Sequence, residues 1–307
     1  MIKVEKLSRS YGDFLAVDAV DFSIGAGEIV GLLGHNGAGK TTIMKMLSGF
    51  LEPSAGRVVV DGHDVADQPE AVQALLGYLP ENVPLYPEMI VVDYLEYAAE
   101  LRGVPVAQRP EAVRYAVRST ELGDKAFDRI DTLSRGYRQR LGVAQTLLHK
   151  PRLLILDEPT NGLDPGQTQH MRDLIRSLSD QATVILSTHI MQEVSAVCDR
   201  VMILRDGRLV LDEELAALQR TQRLKLVTDA DRDKVNGVLD GVAAVGEATE
   251  QPGADDLHHL VMTIDGDQRI AAEVARTLVA GGVNVFSLAP EQRDLESVFR
   301  DASEVPA

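Results

Sequence analysis

The chain has 307 residues, 45% of them hydrophobic, one cysteine and a formal net charge of −16. That length accommodates one large domain and a smaller one, and the lone Cys198 excludes an internal disulfide and suits a reducing compartment. The acidic balance argues against general binding to nucleic acid or anionic lipid, because both would be repelled.

In chain order, short strand-like segments dominate up to about Leu79. Within them Glu28–Leu33 reads as a buried strand and Lys40–Gly49 as a helix. The residues between, Gly34, His35, Asn36, Gly37, Ala38 and Gly39, run into Lys40, Thr41 and Thr42. Gly34-x-x-x-x-Gly39-Lys40-Thr41 in that strand–loop–helix setting is a complete phosphate-binding loop. Its glycines let consecutive N–H groups curl toward phosphate oxygens, and the following helix adds its positive end. Lys40 supplies a point charge for the terminal phosphates, and the Thr41 hydroxyl is a ligand for Mg²⁺. A nucleoside triphosphate is the expected ligand.

From Val92 to Leu148 the pattern becomes mostly helical, which predicts a helical insert, residues 82–150, within a layered α/β domain of residues 1–220. Strands return at Leu153–Leu156, Thr183–Ser187 and Val201–Leu204. The first of these ends in Asp157 and Glu158, where open α/β sheets place their ligands. Asp157 is positioned to hold Mg²⁺ opposite Thr41, and Glu158 to orient or deprotonate the water that attacks the γ-phosphate. Cys198, set before an apolar run, reads as a small buried hydrophobe rather than a nucleophile.

After about Gln219 the pattern starts afresh: strand Arg223–Thr228, helix Arg232–Leu239, strand Val242–Thr249, then a turn cluster at Gln251–Asp256. Strand Leu260–Ile264, helix Gln268–Val279, strand Val283–Leu288 and a last helix around Leu295–Phe299 follow. The βαββαβ order predicts a small two-layer α+β unit over residues 221–307. It holds 8 Lys and Arg against 16 Asp and Glu, half of the whole net charge. His258 and His259 are adjacent, so on a strand they face opposite sides and do not converge on a metal. Gly281-Gly282 reads as a helix stop.

No window approaches the ~20 apolar residues that cross a bilayer, and the amino terminus lacks the pattern of a signal peptide. A membrane role is therefore expected to be peripheral, through a partner.

Together these motifs resemble the ATP-binding-cassette (ABC) ATPases over residues 1 to about 220. Leu133-Ser134-Arg135-Gly136-Tyr137-Arg138-Gln139 resembles the family signature, Gly162-Leu163-Asp164 the loop at the dimer interface, and Ser187-Thr188-His189 the switch segment. Tyr11-Gly12 matches the adenine-stacking position. The resemblance implies an ATPase with a P-loop core, an antiparallel β part and a helical insert, using ATP and Mg²⁺. It also implies that His189 contacts the γ-phosphate. In a head-to-tail pair, Ser134 and the Gly136 N–H would complete the pocket of the opposite subunit. The pair would be a homodimer or two related subunits.

The chain departs from the family pattern in two places. The signature carries Arg135, Tyr137 and Arg138 where smaller or neutral residues are usual. Glu81, in Leu79-Pro80-Glu81-Asn82, replaces the usual glutamine; it keeps an acceptor oxygen and adds negative charge beside the triphosphate, and is expected to contact Mg²⁺. Gly77–Asn82 and Leu295–Phe299 resemble the ATPases of two-component exporters of the gliding-motility and nitrous-oxide-reductase maturation type. The resemblance thus implies a motor on the cytoplasmic face of the membrane. It would serve a separate polytopic permease whose helix docks near Glu81 to Tyr94, with no nucleic-acid partner. The alternatives are an importer motor with a regulatory C-terminal domain and a soluble ABC ATPase outside transport.

Overall fold

The computed structural model describes residues 1–219, 223–242, 244–252, 257–265 and 269–290. The chain divides into two compact units after Leu215, just before the boundary expected at residue 220. Leu215 belongs with the first: it is buried, and its N–H bonds to the Asp199 carbonyl at 2.9 Å.

The first unit opens with strands β1 (Ile2–Tyr11), β2 (Phe14–Ile24) and β3 (Ile29–Leu33), then helix α1 (Lys40–Leu47). β4 (Ala55–Val60), β5 (His63–Asp64), α2 (Pro69–Leu75) and β6 (Leu76–Leu79) follow. Next come α3 (Val91–Leu101), α4 (Arg109–Ser119) and α5 (Arg135–Leu147), the expected helical insert. The chain then returns through β7 (Leu153–Asp157), α6 (Pro165–Leu178), β8 (Thr183–Thr188), α7 (Met191–Val197), β9 (Arg200–Arg205) and β10 (Arg208–Glu214), and the short α8 (Leu215–Gln219) begins at the division between the units.

Two sheets organise this unit. Antiparallel strands in the order β2-β1-β4-β5 alternate buried and exposed residues, as one-sided sheets do. The other sheet runs β10-β9-β3-β8-β7-β6, parallel except for β10 at its edge. Its central strands β3, β7 and β8 are buried at every residue, which is why they read as unbroken apolar runs. Helix α1 shares one core with both sheets: Ile43, Met44 and Leu47 pack with Leu7, Val17 and Val58 on one side and Leu153, Ile155 and Ile185 on the other. The insert has its own core, in which Tyr94, Leu95, Ala116, Leu133 and Leu141 join α3, α4 and α5.

The second unit contains β11 (Arg223–Thr228), α9 (Arg232–Leu239), β12 (Thr249–Gln251), β13 (His258–Thr263), α10 (Arg269–Ala280) and β14 (Val285–Pro290). Its antiparallel sheet is ordered β12-β13-β11-β14, with Leu224, Leu226, Leu260 and Met262 packed against Val235, Leu239, Val274 and Leu278 of the helices. The strand expected at Val242–Thr249 is displaced: the observed strand is Thr249–Gln251, which shares only Thr249 with it, and Val245 makes an isolated bridge to Ile264. The reason lies in α9: the Asn236 amide bonds both the N–H (2.8 Å) and the carbonyl (3.4 Å) of Ala248, taking backbone groups that a strand would use. Gly282, with φ +72°, follows α10 as the expected helix stop. The helix expected around Leu295–Phe299 and residues 253–256 of the turn cluster lie outside the described residues.

Candidate active site

β3 lies between β8 and β9 in the middle of the parallel sheet, and the loop 34–39 leaves its carboxyl end. The backbone passes so near β9 that a Cβ on Gly34 would sit 2.5 Å from the Leu204 carbonyl oxygen. Gly39 precedes α1 with φ +105°, and a Cβ there would lie 2.6 Å from the Ala16 carbonyl oxygen. Only glycine meets both conditions. The loop closes through the Ala38 N–H to the His35 carbonyl (3.1 Å), and α1 starts with the Ile43 N–H to Gly39 (3.0 Å). His35, Asn36 and Gly37 are exposed, Ala38 is buried, and Thr41 and Thr42 sit half-buried on the first turn.

Lys40 is buried at the base of this loop. Its ammonium donates to the carbonyls of Gly34 (2.7 Å) and His35 (3.3 Å) and faces Glu158 Oε1 at 3.6 Å. Asp157 and Glu158 arrive on β7, beside β8, and are nearly covered. The Ser187 hydroxyl donates to Asp157 Oδ1 (2.5 Å) and accepts from the Glu158 N–H (3.0 Å). Glu158 has φ +50°, in the left-handed region that side chains seldom adopt. Its Oε2 lies 3.0 Å from His189 Nδ1. Burial pushes the Glu158 carboxyl above the usual carboxylate range, and the charges of His189 and Lys40 oppose that only in part.

One acceptor in this group is unusual: Asp157 Oδ2 is buried and has no hydrogen-bond partner. A buried carboxylate oxygen without a donor is costly unless a cation or ordered water meets it. The donor set therefore fits a hard divalent cation. Among the described residues, no three His, Cys, Asp or Glu side chains converge as a metal cage. Mg²⁺ held here would be completed by phosphate oxygens and water, as is usual for this ion.

The remaining candidates stand around this centre. Glu81 accepts from Asn161 Nδ2 at 3.2 Å, which ties the end of β6 to the turn after β7. Tyr11, at the end of β1, is 47% exposed and has the Arg9 guanidinium 4.8 Å from its ring centroid. Ser134 caps α5, its oxygen accepting from the Tyr137 N–H at 3.4 Å. A Cβ on Gly136 would lie 2.6 Å from Gln167, and the Arg135 guanidinium packs directly on Gly162. The structure thus joins Lys40, Asp157, Glu158 and His189 in one contact network. Arg135 and Gly136 have near neighbours on the segment 162–167 instead. Cys198 is buried against Gly31, and burial pushes its thiol up, which suits a packing role.

Three residues of the neighbourhood carry no mark in the sequence pattern. Glu193, on α7, is buried and accepts from the hydroxyls of Thr160 (2.5 Å) and Thr188 (2.7 Å), binding the turn after β7 to the end of β8. Asn161 and Arg9 are the others. Each acts through a contact far along the chain, so local spacing gives no signal.

The ABC transporter family model matches residues 17–161. YdbJ of Bacillus subtilis, an ABC transporter ATP-binding protein, is 32% identical over 305 residues, which cover 99% of this chain and 95% of that protein. The chain belongs to the ABC transporter ATP-binding family. The linearmycin resistance ATP-binding protein LnrL of the same organism is 27% identical, with 97% of each chain covered. Among solved structures, the ATP-binding cassette MJ0796, a dimer in a post-hydrolysis state with ADP and Pi, has the same fold. Its TM-score is 0.63 at 23% identity, over 70% of this chain and 99% of that one. ABC cassettes bind and hydrolyse ATP, and this chain is an ATPase of that family.

Proposed function

We propose that this chain is the ATP-hydrolysing motor of a membrane exporter whose permease is a separate polypeptide, with the first unit as ATPase domain and the second as an accessory domain. The observation that carries the reading is the junction of Lys40, Glu158 and His189 at the mouth of the phosphate-binding loop. In this reading phosphate oxygens compete with the Gly34 and His35 carbonyls for the Lys40 ammonium. Thr41 and Asp157, with Glu81 nearby, would hold Mg²⁺, which would supply positive charge against the developing charge of the phosphates. Glu158 takes a proton from water as the water oxygen bonds the γ-phosphorus. The bond to the bridging oxygen breaks, and ADP leaves with its electron pair.

The ring of His189 needs one further condition. With Nδ1–H donating to Glu158, a neutral imidazole presents Nε2 as an acceptor. A hydrogen bond from His189 to the γ-phosphate therefore requires the imidazolium or release of the Glu158 contact. Tyr11 is the platform for the base. Ser134 and Gly136 face the nucleotide of a second cassette in a two-fold pair, a reading that the dimer of MJ0796 supports. Among the described residues no helix is long and apolar enough to cross a membrane, so the chain would sit on the cytoplasmic face through its permease. Export is favoured by the resistance named for LnrL, and the exporter subgroup by the Gly77–Asn82 and Leu295–Phe299 strings.

The test is to express a tagged Glu158→Gln chain in its native cell, extract with detergent and MgATP, and identify what co-purifies. A polytopic membrane protein in about equal amount supports the motor reading. Ribosomes or DNA-associated proteins without a membrane partner would replace it with a soluble ABC function.

A further inference from the structure

We infer that Arg9 is a positioning residue for the nucleotide base: its guanidinium backs one face of the Tyr11 ring and leaves the other for a purine. The inference rests on the reading of Tyr11 as base platform and adds a residue to it.

Arg9 and Tyr11 are two residues apart on β1, and the β1–β2 register shifts between Arg9 and Ser10. Such an irregularity re-aims side chains at the end of a strand. It leaves the guanidinium carbon 4.8 Å from the Tyr11 centroid, inside the ~6 Å range of a cation–π contact. The cation is fixed from behind. Its Nη1 donates to the Glu52 carbonyl at 2.9 Å, while Nε is buried with no hydrogen-bond partner. The ring face thus compensates a guanidinium that is only partly satisfied by hydrogen bonds.

Glu52 also matters by its position. The segment before it is pinned to α1, with the N–H groups of Phe50 and Leu51 both bonded to the Lys45 carbonyl at 2.9 and 3.1 Å. Arg9 therefore ties the Tyr11 ring to the helix whose first turn carries Lys40 and Thr41. An exposed tyrosine without that support would sample several rotamers, and stacking a base would cost the ordering of the ring. With one face closed by a cation, the ring is ordered beforehand and a flat π-system can join only from the other side. The stack would read guanidinium, phenol, purine, and would favour purines as a class.

The experiment is a set of equilibrium titrations on the full chain with two ligands: a non-hydrolysable ATP analogue and inorganic tripolyphosphate, which has no base. Arg9→Gln keeps a donor for the Glu52 carbonyl and removes the charge. It should raise Kd for the ATP analogue roughly three- to tenfold and leave Kd for tripolyphosphate unchanged. Arg9→Lys should fall between Arg9→Gln and the native chain. In a Tyr11→Ala background, Arg9→Gln should add no further loss. Equal weakening toward both ligands would show a merely structural role and overturn the inference. So would native or tighter ATP binding by Arg9→Gln when Tyr11→Ala binds more weakly. If Tyr11→Ala itself binds the ATP analogue like the native chain, the base-platform reading fails first and the inference falls with it.

Discussion

Ser187→Ala is the sharpest test of how the two carboxylates at the end of β7 are held. The hydroxyl lost is fully buried, donates to Asp157 Oδ1 at 2.5 Å and accepts from the Glu158 N–H at 3.0 Å. A hydrogen bond to a carboxylate contributes ~1.5–3 kcal/mol, and a neutral one ~0.5–1.5 kcal/mol. The second contribution lies at its low end, because the Glu158 N–H still reaches the Ser187 carbonyl at 3.2 Å. The first lies toward its high end, because Asp157 Oδ2 already has no partner, so the variant would leave both oxygens bare. The expected loss is about 2–4 kcal/mol. At a urea m-value of ~3 kcal/mol/M that lowers the midpoint by about 1 M. Two compact units can unfold in two steps, so the relevant transition is the one that nucleotide moves. Saturating ATP at ~100 times Kd should raise it by ~2.7 kcal/mol and leave the other in place. Ser187→Cys, with the same shape and a weak donor, should lose less than the alanine variant. A midpoint shift below about 0.3 M for Ser187→Ala would refute the argument that this hydroxyl satisfies the Asp157 carboxylate.

Glu158→Gln should slow single-turnover hydrolysis ~10²- to 10⁴-fold with nucleotide affinity little changed; native turnover would remove Glu158 from the general-base role. The same variant reports on pH. The folded carboxyl titrates above its unfolded value because of burial, so between the two values the native state binds more protons and loses stability as pH rises. Neutral Gln escapes that penalty: the variant should be more stable than the native chain in urea at pH 7.5 and indistinguishable at pH 4, and equal stability at both would contradict the shift. Gly39→Ala should abolish binding of a fluorescent nucleotide without unfolding the chain, since φ +105° and the Ala16 carbonyl at 2.6 Å leave no room for a Cβ. Asn236→Ala strands the buried Ala248 N–H and should destabilise the second unit by ~1–3 kcal/mol, read by hydrogen exchange along β12 and β13.

Much of the first unit was legible because its signals are local. The unbroken apolar runs of β3, β7 and β8, the glycine loop and the acidic pair after Leu156 are each complete within a few residues. That Lys40, Glu158 and His189 meet follows from strand order, which puts β3, β8 and β7 side by side with their carboxyl ends together. What the sequence left dark depends on separation. Glu193 meets Thr160 across 33 residues, and nothing in the pattern of α7 distinguishes a buried carboxylate from a solvated one. Arg9 finds Glu52 across 43 residues, and the Arg135 contact with Gly162 is also remote in sequence. In the second unit the strand expected at Val242–Thr249 was misjudged because apolar alternation there is outweighed by one side-chain amide, Asn236, from the preceding helix.

The seat of Arg135 on Gly162 also bears on how motion can travel inside one chain. The guanidinium belongs to the first residue of α5, and Gly162 holds φ +71° in the turn that leads to the Asp164 cap of α6. A glycine there leaves no side chain to act as a buffer, so any displacement of the turn meets the arginine at once. The start of α5 and the start of α6 are in that sense geared together. One tooth of the gear, Gly162, is two residues from Thr160, whose partner Glu193 also grips the strand that delivers His189. A change at the histidine thus has a short mechanical route to the start of α5, through hydrogen bonds and a packed guanidinium rather than through the nucleotide.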